Sequence, residues 1–156
     1  MNSKYEISTK ENREFLKASC EELLNFGHRF PSPNGGSYYL GDDGTPWKDR
    51  NRETWITCRM AHVYSLGLML GHEGSGELAD AALKGLKGEL HDEKNGGWYA
   101  GVTPEGGIVP NKQCYAHAFV ILAASSALTA GRPGAKELLE EALAVYDRHF
   151  WNEEEG

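Results

Sequence analysis

Clustered basic charge is missing from this 156-residue chain, which sets 16 Lys and Arg against 23 Asp and Glu for a formal net charge of −7. With no basic patch and no basic arm, a general nucleic-acid or anionic-membrane binder is disfavoured, because affinity for phosphate rests on clustered Lys and Arg. Cysteine is scarce too. Cys20, Cys58 and Cys114 are far apart, odd in number and without a CxxC pair, so neither a disulfide framework nor a zinc site is indicated and free thiols in a reducing compartment are expected. The patterns HExxH, GxSxG, Walker and GxGxxG are all absent. The polar N-terminus MNSKYEISTKENREF has neither the apolar segment of a signal peptide nor an Arg-rich transit pattern, which makes a cytoplasmic location the expectation.

What the chain does contain is 40% hydrophobic and 10% aromatic residues, enough for one domain with a core. Its most apolar stretch, Asn111 to Gly131, has no charged residue from Ala116 to Ala130 unless His117 is protonated. At that length it falls short of the roughly 20 residues that cross a bilayer, and its apolar positions go almost all the way round a helical wheel. It is expected to be a buried helix enclosed by other helices, with Lys112, Gln113 and Tyr115 giving its first turn a polar edge.

Four further helices are expected. The first begins at the S-x-x-E capping box Ser8 to Glu11, carries Phe15, Leu16, Leu23, Leu24 and Phe26, and ends at Gly27. The second, about Thr54 to Leu70, is apolar on most sides apart from Arg59. The third, about Glu77 to Leu90, and the fifth, about Ala135 to Phe150, are amphipathic. Between the first and second helices a Gly-, Pro- and Asp-rich loop from Pro31 to Asp49 has room for a short strand at Ser37 to Leu40; its Tyr38, Tyr39 and Trp47 either line a cleft or cover the core. The segment after the third helix carries the turn signals NGG, TPEGG and VPN and reads as a hairpin-like excursion.

Sliding the chain by sixty positions superposes Gly71 on Gly131, Gly74 on Gly134, Glu77 on Glu137, Leu78 on Leu138 and Trp55 on Tyr115. The unit is an inner helix, a tight GxxG turn, an outer helix and a longer return loop, and about two and a half units are present. Such units bury their faces only by stacking or by closing into a ring. In a closed ring this chain stops before closure, so residue 156 reads as a truncation, and the open arc would expose apolar flanks and associate with itself.

In this arrangement the first turns of the inner helices gather at one end, where helix dipoles favour anionic or hydroxyl-rich ligands. Trp55 and Arg59 share one face there; Lys112, Tyr115 and Phe119 share another. An Arg on a nearly apolar helix needs either an internal carboxylate or a polar cavity, which makes Arg59 the leading candidate. Trp55 and Tyr115 either contact a ligand or belong to the core. His62 and His117 sit where a lone His is usually a hydrogen-bonded core residue, while His28, His72, His91 and His149 read as surface or caps. Glu53 and the Asp42, Asp43 pair offer carboxylates, but spacing alone makes no acid/base dyad of them.

The segments TWITCRMAHVYSLG, GGWYAGV and KQCYAHAFVILAASSA, in that order, resemble the N-acylglucosamine 2-epimerase superfamily, and its aldose-ketose isomerase branch in particular. The resemblance implies an all-α fold, the N-terminal part of an (α/α)6 barrel with about five helices and long loops. It also implies cofactor-independent interconversion of a monosaccharide, mannose/fructose-type or sulfoquinovose-type, by histidines that pass a proton through an ene-diol. By the same resemblance Arg59 and Tyr115 are catalytic, and Trp55, Lys112 and His117 bind substrate. No metal is implied, and the catalytic histidines of the family lie beyond Gly156. The alternatives are a sugar 2-epimerase, a glycosidase on the same scaffold with an acidic pair aimed into the pocket, and a non-catalytic helical-repeat module.

Overall fold

The computed structural model describes residues 6–154. The first five residues of the polar N-terminus and the chain end at Gly156 lie outside that range. Five helices account for most of it: α1 (Lys10–Gly27), α2 (Thr54–Met69), α3 (Ser75–Leu86), α4 (Cys114–Thr129) and α5 (Ala135–Phe150). Helices α2 and α4 start and end sixty residues apart, as α3 and α5 start. The turns between them repeat as well, with Gly71 and Gly131 at φ 82° and 67° and Gly74 and Gly134 at φ 76° and 71°. Left-handed backbone of this kind excludes most side chains and makes each inner helix stop and each outer helix start at the same place.

Helix α2 packs on both α3 and α4, and α4 packs on α5, so the two inner helices lie side by side with an outer helix behind each. Their shared core is Cys58, Ala61, Tyr64, Ala79, Ala82, Leu83, Leu86, Val120, Ala123 and Ala127, all essentially inaccessible. Small residues let the inner helices approach closely, and Tyr64 fills the gap beneath α1 by donating its hydroxyl to the Leu24 carbonyl at 2.8 Å. A side chain at Gly27 would meet that hydroxyl at 2.5 Å.

Several local expectations are corrected. The first helix is capped by Thr9, whose Oγ1 accepts from the Asn12 N–H at 3.1 Å, one residue later than the capping box suggested. Of its apolar residues only Leu24 is buried; Leu16 and Leu23 face outward. The third helix runs two residues earlier at its start and ends at Leu86, because the chain turns at Gly85–Gly88, where the Gly88 and Leu90 N–H groups both donate to the Gly85 carbonyl. Enclosure of the inner helices by other helices holds only in part, in keeping with the exposed apolar flanks expected of an open arc: Val63, Leu66 and Met69 of α2 and Leu122 and Leu128 of α4 are exposed.

Among the described residues the loops contain five short strands, each two residues long. β1 (Tyr39–Leu40) pairs with β2 (Pro46–Trp47), later and shorter than the strand expected from Ser37. The excursion after α3 is the expected hairpin of β4 (Gly101–Val102) and β5 (Ile108–Val109). Its inner strand also pairs with β3 (Arg52–Glu53), directly ahead of α2, a pairing that no local signal in the sequence announces. The hairpin thereby ties the return loop that follows α3 to the start of α2, the inner helix of the same repeat.

Candidate functional site

At the start of the inner helices the repeat makes a division of labour. Each return loop carries a Gly-Gly turn, Gly35–Gly36 and Gly96–Gly97, and each turn is held by two side chains from the inner-helix entry. Arg52 donates from Nη1 to the Gly35 carbonyl at 2.8 Å, and Lys112 donates from Nζ to the Gly96 carbonyl. The Ser37 N–H donates to Thr57 Oγ1 at 3.0 Å, and the Trp98 N–H donates to His117 Nε2 at 3.1 Å. Arg52 and Lys112 are sixty positions apart, as are Thr57 and His117. Both cations also meet a carboxylate: Arg52 pairs with Glu89, and Lys112 pairs with Asp92 at 2.8 Å. Lys112, with Asn95, holds the Asp92 carboxyl well below the usual carboxylate range.

His117 is buried, and both of its ring nitrogens are engaged. Nδ1 lies 2.8 Å from the Gln113 carbonyl. A carbonyl can only accept, so the proton is on Nδ1 and the Nε2 lone pair is left for the Trp98 N–H. Burial pushes its pKa below the ordinary histidine value. Trp98 and Phe150 pack against its ring at 5.7 and 4.8 Å.

The structure thus places Lys112 and His117 among the loop anchors, away from Arg59. The remaining three candidates come together. The Arg59 guanidinium lies 4.8 Å over the Trp55 ring and 5.1 Å over the Phe119 ring, and its Nη2 is 3.4 Å from the Tyr115 hydroxyl. Tyr115 and Phe119 meet edge to face at 4.9 Å, and Trp55 and Tyr115 are 6.1 Å apart. No carboxylate among the described residues pairs with Arg59, which is exposed. Stacking on two aromatic faces leaves the guanidinium edge, with its N–H donors, open to an incoming group.

Tyr39, expected either to line a cleft or to cover the core, and Glu53, expected only as a carboxylate, meet beside this cluster. Glu53 accepts from the Trp55 Nε1–H at 2.7 Å and from the Tyr39 hydroxyl, joining a loop aromatic to the helix. The Tyr39 phenol is pushed well above its ordinary pKa, first by burial and then by the Glu53 carboxylate. Tyr39 therefore stands against Trp55, ring centroids 6.3 Å apart, whereas Trp47 lies under the Arg50 guanidinium, 4.5 Å away. The sixty-residue frame was the signal that could have separated anchors from site residues, because it pairs Lys112 with Arg52 and His117 with Thr57 outside the cleft, and Tyr115 with Trp55 inside it.

Among the described residues no three His, Cys, Asp or Glu side chains converge as a metal ion would require, and no helix is long and apolar enough to cross a membrane. An open surface with stacked aromatics, a hydroxyl and an unneutralised guanidinium suits a polar ligand with apolar faces and several oxygen acceptors.

Residues 35–156 match the family described as N-acylglucosamine 2-epimerase (GlcNAc 2-epimerase). A D-mannose isomerase of Thermobifida fusca is 41% identical over 146 residues, 93% of this chain and 36% of the relative. Among solved structures, a D-mannose isomerase superposes with a TM-score of 0.81 at 24% identity, covering 96% of this chain and 38% of the other. A cellobiose 2-epimerase from Bacillus thermoamylovorans superposes with a TM-score of 0.76 at 25% identity, covering 92% and 39%. The chain spans little more than a third of the length of the proteins it matches, and its five helices form part of their helical-toroid fold.

Proposed function

Because this chain belongs to the N-acylglucosamine 2-epimerase family, we propose that it is the substrate-binding part of a sugar isomerase that interconverts an aldose and a ketose, with D-mannose the favoured substrate. The observation that carries this reading is the unneutralised Arg59 guanidinium, stacked on Trp55 and Phe119 beside the Tyr115 hydroxyl. The choice of D-mannose rests on the name of the 41% identical relative. Residues 1–156 are, in this reading, the N-terminal part of a single (α/α)6-barrel domain. Three free cysteines suit a cytoplasmic setting.

Isomerisation of an opened aldose removes the proton from C2 and moves charge onto the carbonyl oxygen, giving an ene-diol. Returning a proton to C1 gives the ketose; returning it to the opposite face of C2 gives the epimer. Arg59 is suited to bind the oxygens at C1 and C2 and to stabilise the negative charge that grows there. The Tyr115 hydroxyl adds a hydrogen bond to the same oxygens, and the Trp55 ring offers an apolar wall to the C–H face of the sugar. Proton transfer itself needs a group that titrates near neutrality within hydrogen-bond reach of the reacting carbons. His117 is spoken for by the Trp98 and Gln113 backbone, so we assign that role to histidines outside this chain. No cofactor enters the proposed chemistry.

A 2-epimerase is the second reading, favoured by the cellobiose 2-epimerase fold match. Product analysis of the full-length protein on D-mannose separates the two: the isomerase yields D-fructose, the epimerase D-glucose. Arg59→Ala is expected to lower turnover at least about 100-fold with an unchanged melting temperature. An R59A protein with wild-type turnover would remove Arg59 from the site.

A further inference from the structure

From the position of Glu53 we infer that this residue is a positioning residue of the cleft: its carboxylate sets the plane of the Trp55 indole and, through it, the orientation of the Arg59 guanidinium. The inference rests on the proposed sugar site and goes beyond it, because Glu53 makes no ion pair with Arg59 and acts through Trp55.

Glu53 is the N-cap residue of α2, yet its side chain makes no cap hydrogen bond. The N-cap side chains that ordinarily accept from the exposed N–H groups of their helix are the shorter Ser, Thr, Asp and Asn. The longer Glu53 carboxylate instead takes the Trp55 Nε1–H at 2.7 Å and the Tyr39 hydroxyl on the same oxygen, Oε2. Its backbone cannot drift to accommodate other partners. Glu53 lies in β3 opposite Gly101, and the next residue, Thr54, donates its N–H to the Ala100 carbonyl at 3.0 Å and its hydroxyl to the Tyr99 carbonyl at 2.6 Å. A side chain at Gly101 would come within 2.8 Å of the Arg52 carbonyl, so the strand pairing depends on that glycine.

The consequence falls on Arg59. Without a carboxylate partner among the described residues, the guanidinium is oriented by two ring faces and one long hydrogen bond, 3.4 Å, to Tyr115. The Trp55 ring, the nearer of the two at 4.8 Å, has its plane fixed by the Nε1–H bond to Glu53 and by the edge of Tyr39, 6.3 Å away at 72°. Losing the acceptor releases the indole, and the Arg59 platform goes with it. Displacement of a catalytic group by about 1 Å is enough to cost up to about 100-fold in rate.

The test uses the full-length protein with tryptophan labelled at the indole nitrogen and arginine labelled at the side-chain nitrogens, Trp55 and Arg59 being assigned by the loss of signal in W55F and R59K. Glu53→Ala is expected to move both resonances and to lower kcat/KM for D-mannose on the order of tenfold, mostly through kcat. Glu53→Gln keeps an acceptor oxygen for the indole N–H and is expected to return both resonances and most of the activity. An unmoved Trp55 signal in E53A, a moved Trp55 signal with Arg59 unmoved, or moved signals with unchanged turnover would each overturn the inference. If the wild-type protein turns over no sugar, the sugar reading falls, while the two resonances still decide whether Glu53 orients Arg59.

Discussion

Thr57 and His117 stand at equivalent positions of two inner helices and accept the same hydrogen bond, from the N–H of the residue that follows a Gly-Gly turn, at 3.0 and 3.1 Å. A histidine in the first turn of an apolar inner helix invites a catalytic reading. Its counterpart in the preceding repeat shows what it does here, which is to hold a loop. Replacing His117 by Ala strands the Trp98 N–H in a buried setting and leaves a hole between Trp98 and Phe150. The expected loss is about 2–4 kcal/mol, read as a lower denaturant midpoint. Thr57→Ala should cost about 1–2 kcal/mol by the same measurement.

The same contact predicts a pH dependence. The His117 pKa is lowered in the folded state, chiefly by burial, so between the folded value and the ordinary value of about 6.5 the unfolded chain binds the proton that the folded chain refuses. Stability is therefore fully present above about pH 6.5 and declines as the pH falls below it. Chemical denaturation at a series of pH values checks this, with the His117→Ala protein expected to lose that part of the slope.

A side chain at Gly97 would approach His117 Nε2 to 2.8 Å, and the residue sits at φ 77°. Gly97→Ala is expected to destabilise by about 1–3 kcal/mol, through both the left-handed backbone and the crowded acceptor. Hydrogen exchange of the Trp98 amide should quicken in this variant.

Arg59→Lys keeps the charge but loses the planar guanidinium that stacks on Trp55 and Phe119. In the full-length protein kcat/KM for D-mannose is expected to fall about 10- to 100-fold, with kcat carrying most of the loss. The melting temperature should stay within about a degree, because the side chain is exposed and surface changes of this kind shift stability little.

Val63, Leu66 and Met69 of α2 and Leu122 and Leu128 of α4 leave large apolar side chains exposed on both inner helices, the kind of surface that favours association. Residues 1–156 expressed alone are expected to self-associate, seen by size-exclusion chromatography with light scattering. A clean monomer would mean that these side chains repack.

Much of the fold was legible because it repeats. The glycines at 71, 74, 131 and 134 mark where helices stop and start, and the structure gives each pair the same left-handed turn. The pairing of β3 with β4 was not legible, since strands of two residues carry no periodicity and the partners lie nearly fifty positions apart. At the site, Trp55, Arg59 and Tyr115 converge because helical spacing and the repeat both put them at the same end. Lys112, expected in the first turn with Tyr115, lies ahead of α4, which begins at Cys114, and reaches back to Asp92 and Gly96, a choice made by tertiary partners. Glu53 stood out only as a carboxylate near a helix start. Its link to Tyr39 and Trp55 needed the folded loop.

The most direct test is to incubate D-mannose in deuterium oxide with the full-length protein and, separately, with residues 1–156 alone, and to follow the products by NMR. D-fructose is expected from the full-length protein, with turnover at least about 100-fold lower when Arg59 is replaced by Ala, and no product from residues 1–156. Turnover by residues 1–156 alone, or a full-length protein that leaves D-mannose unchanged, would contradict the proposed function.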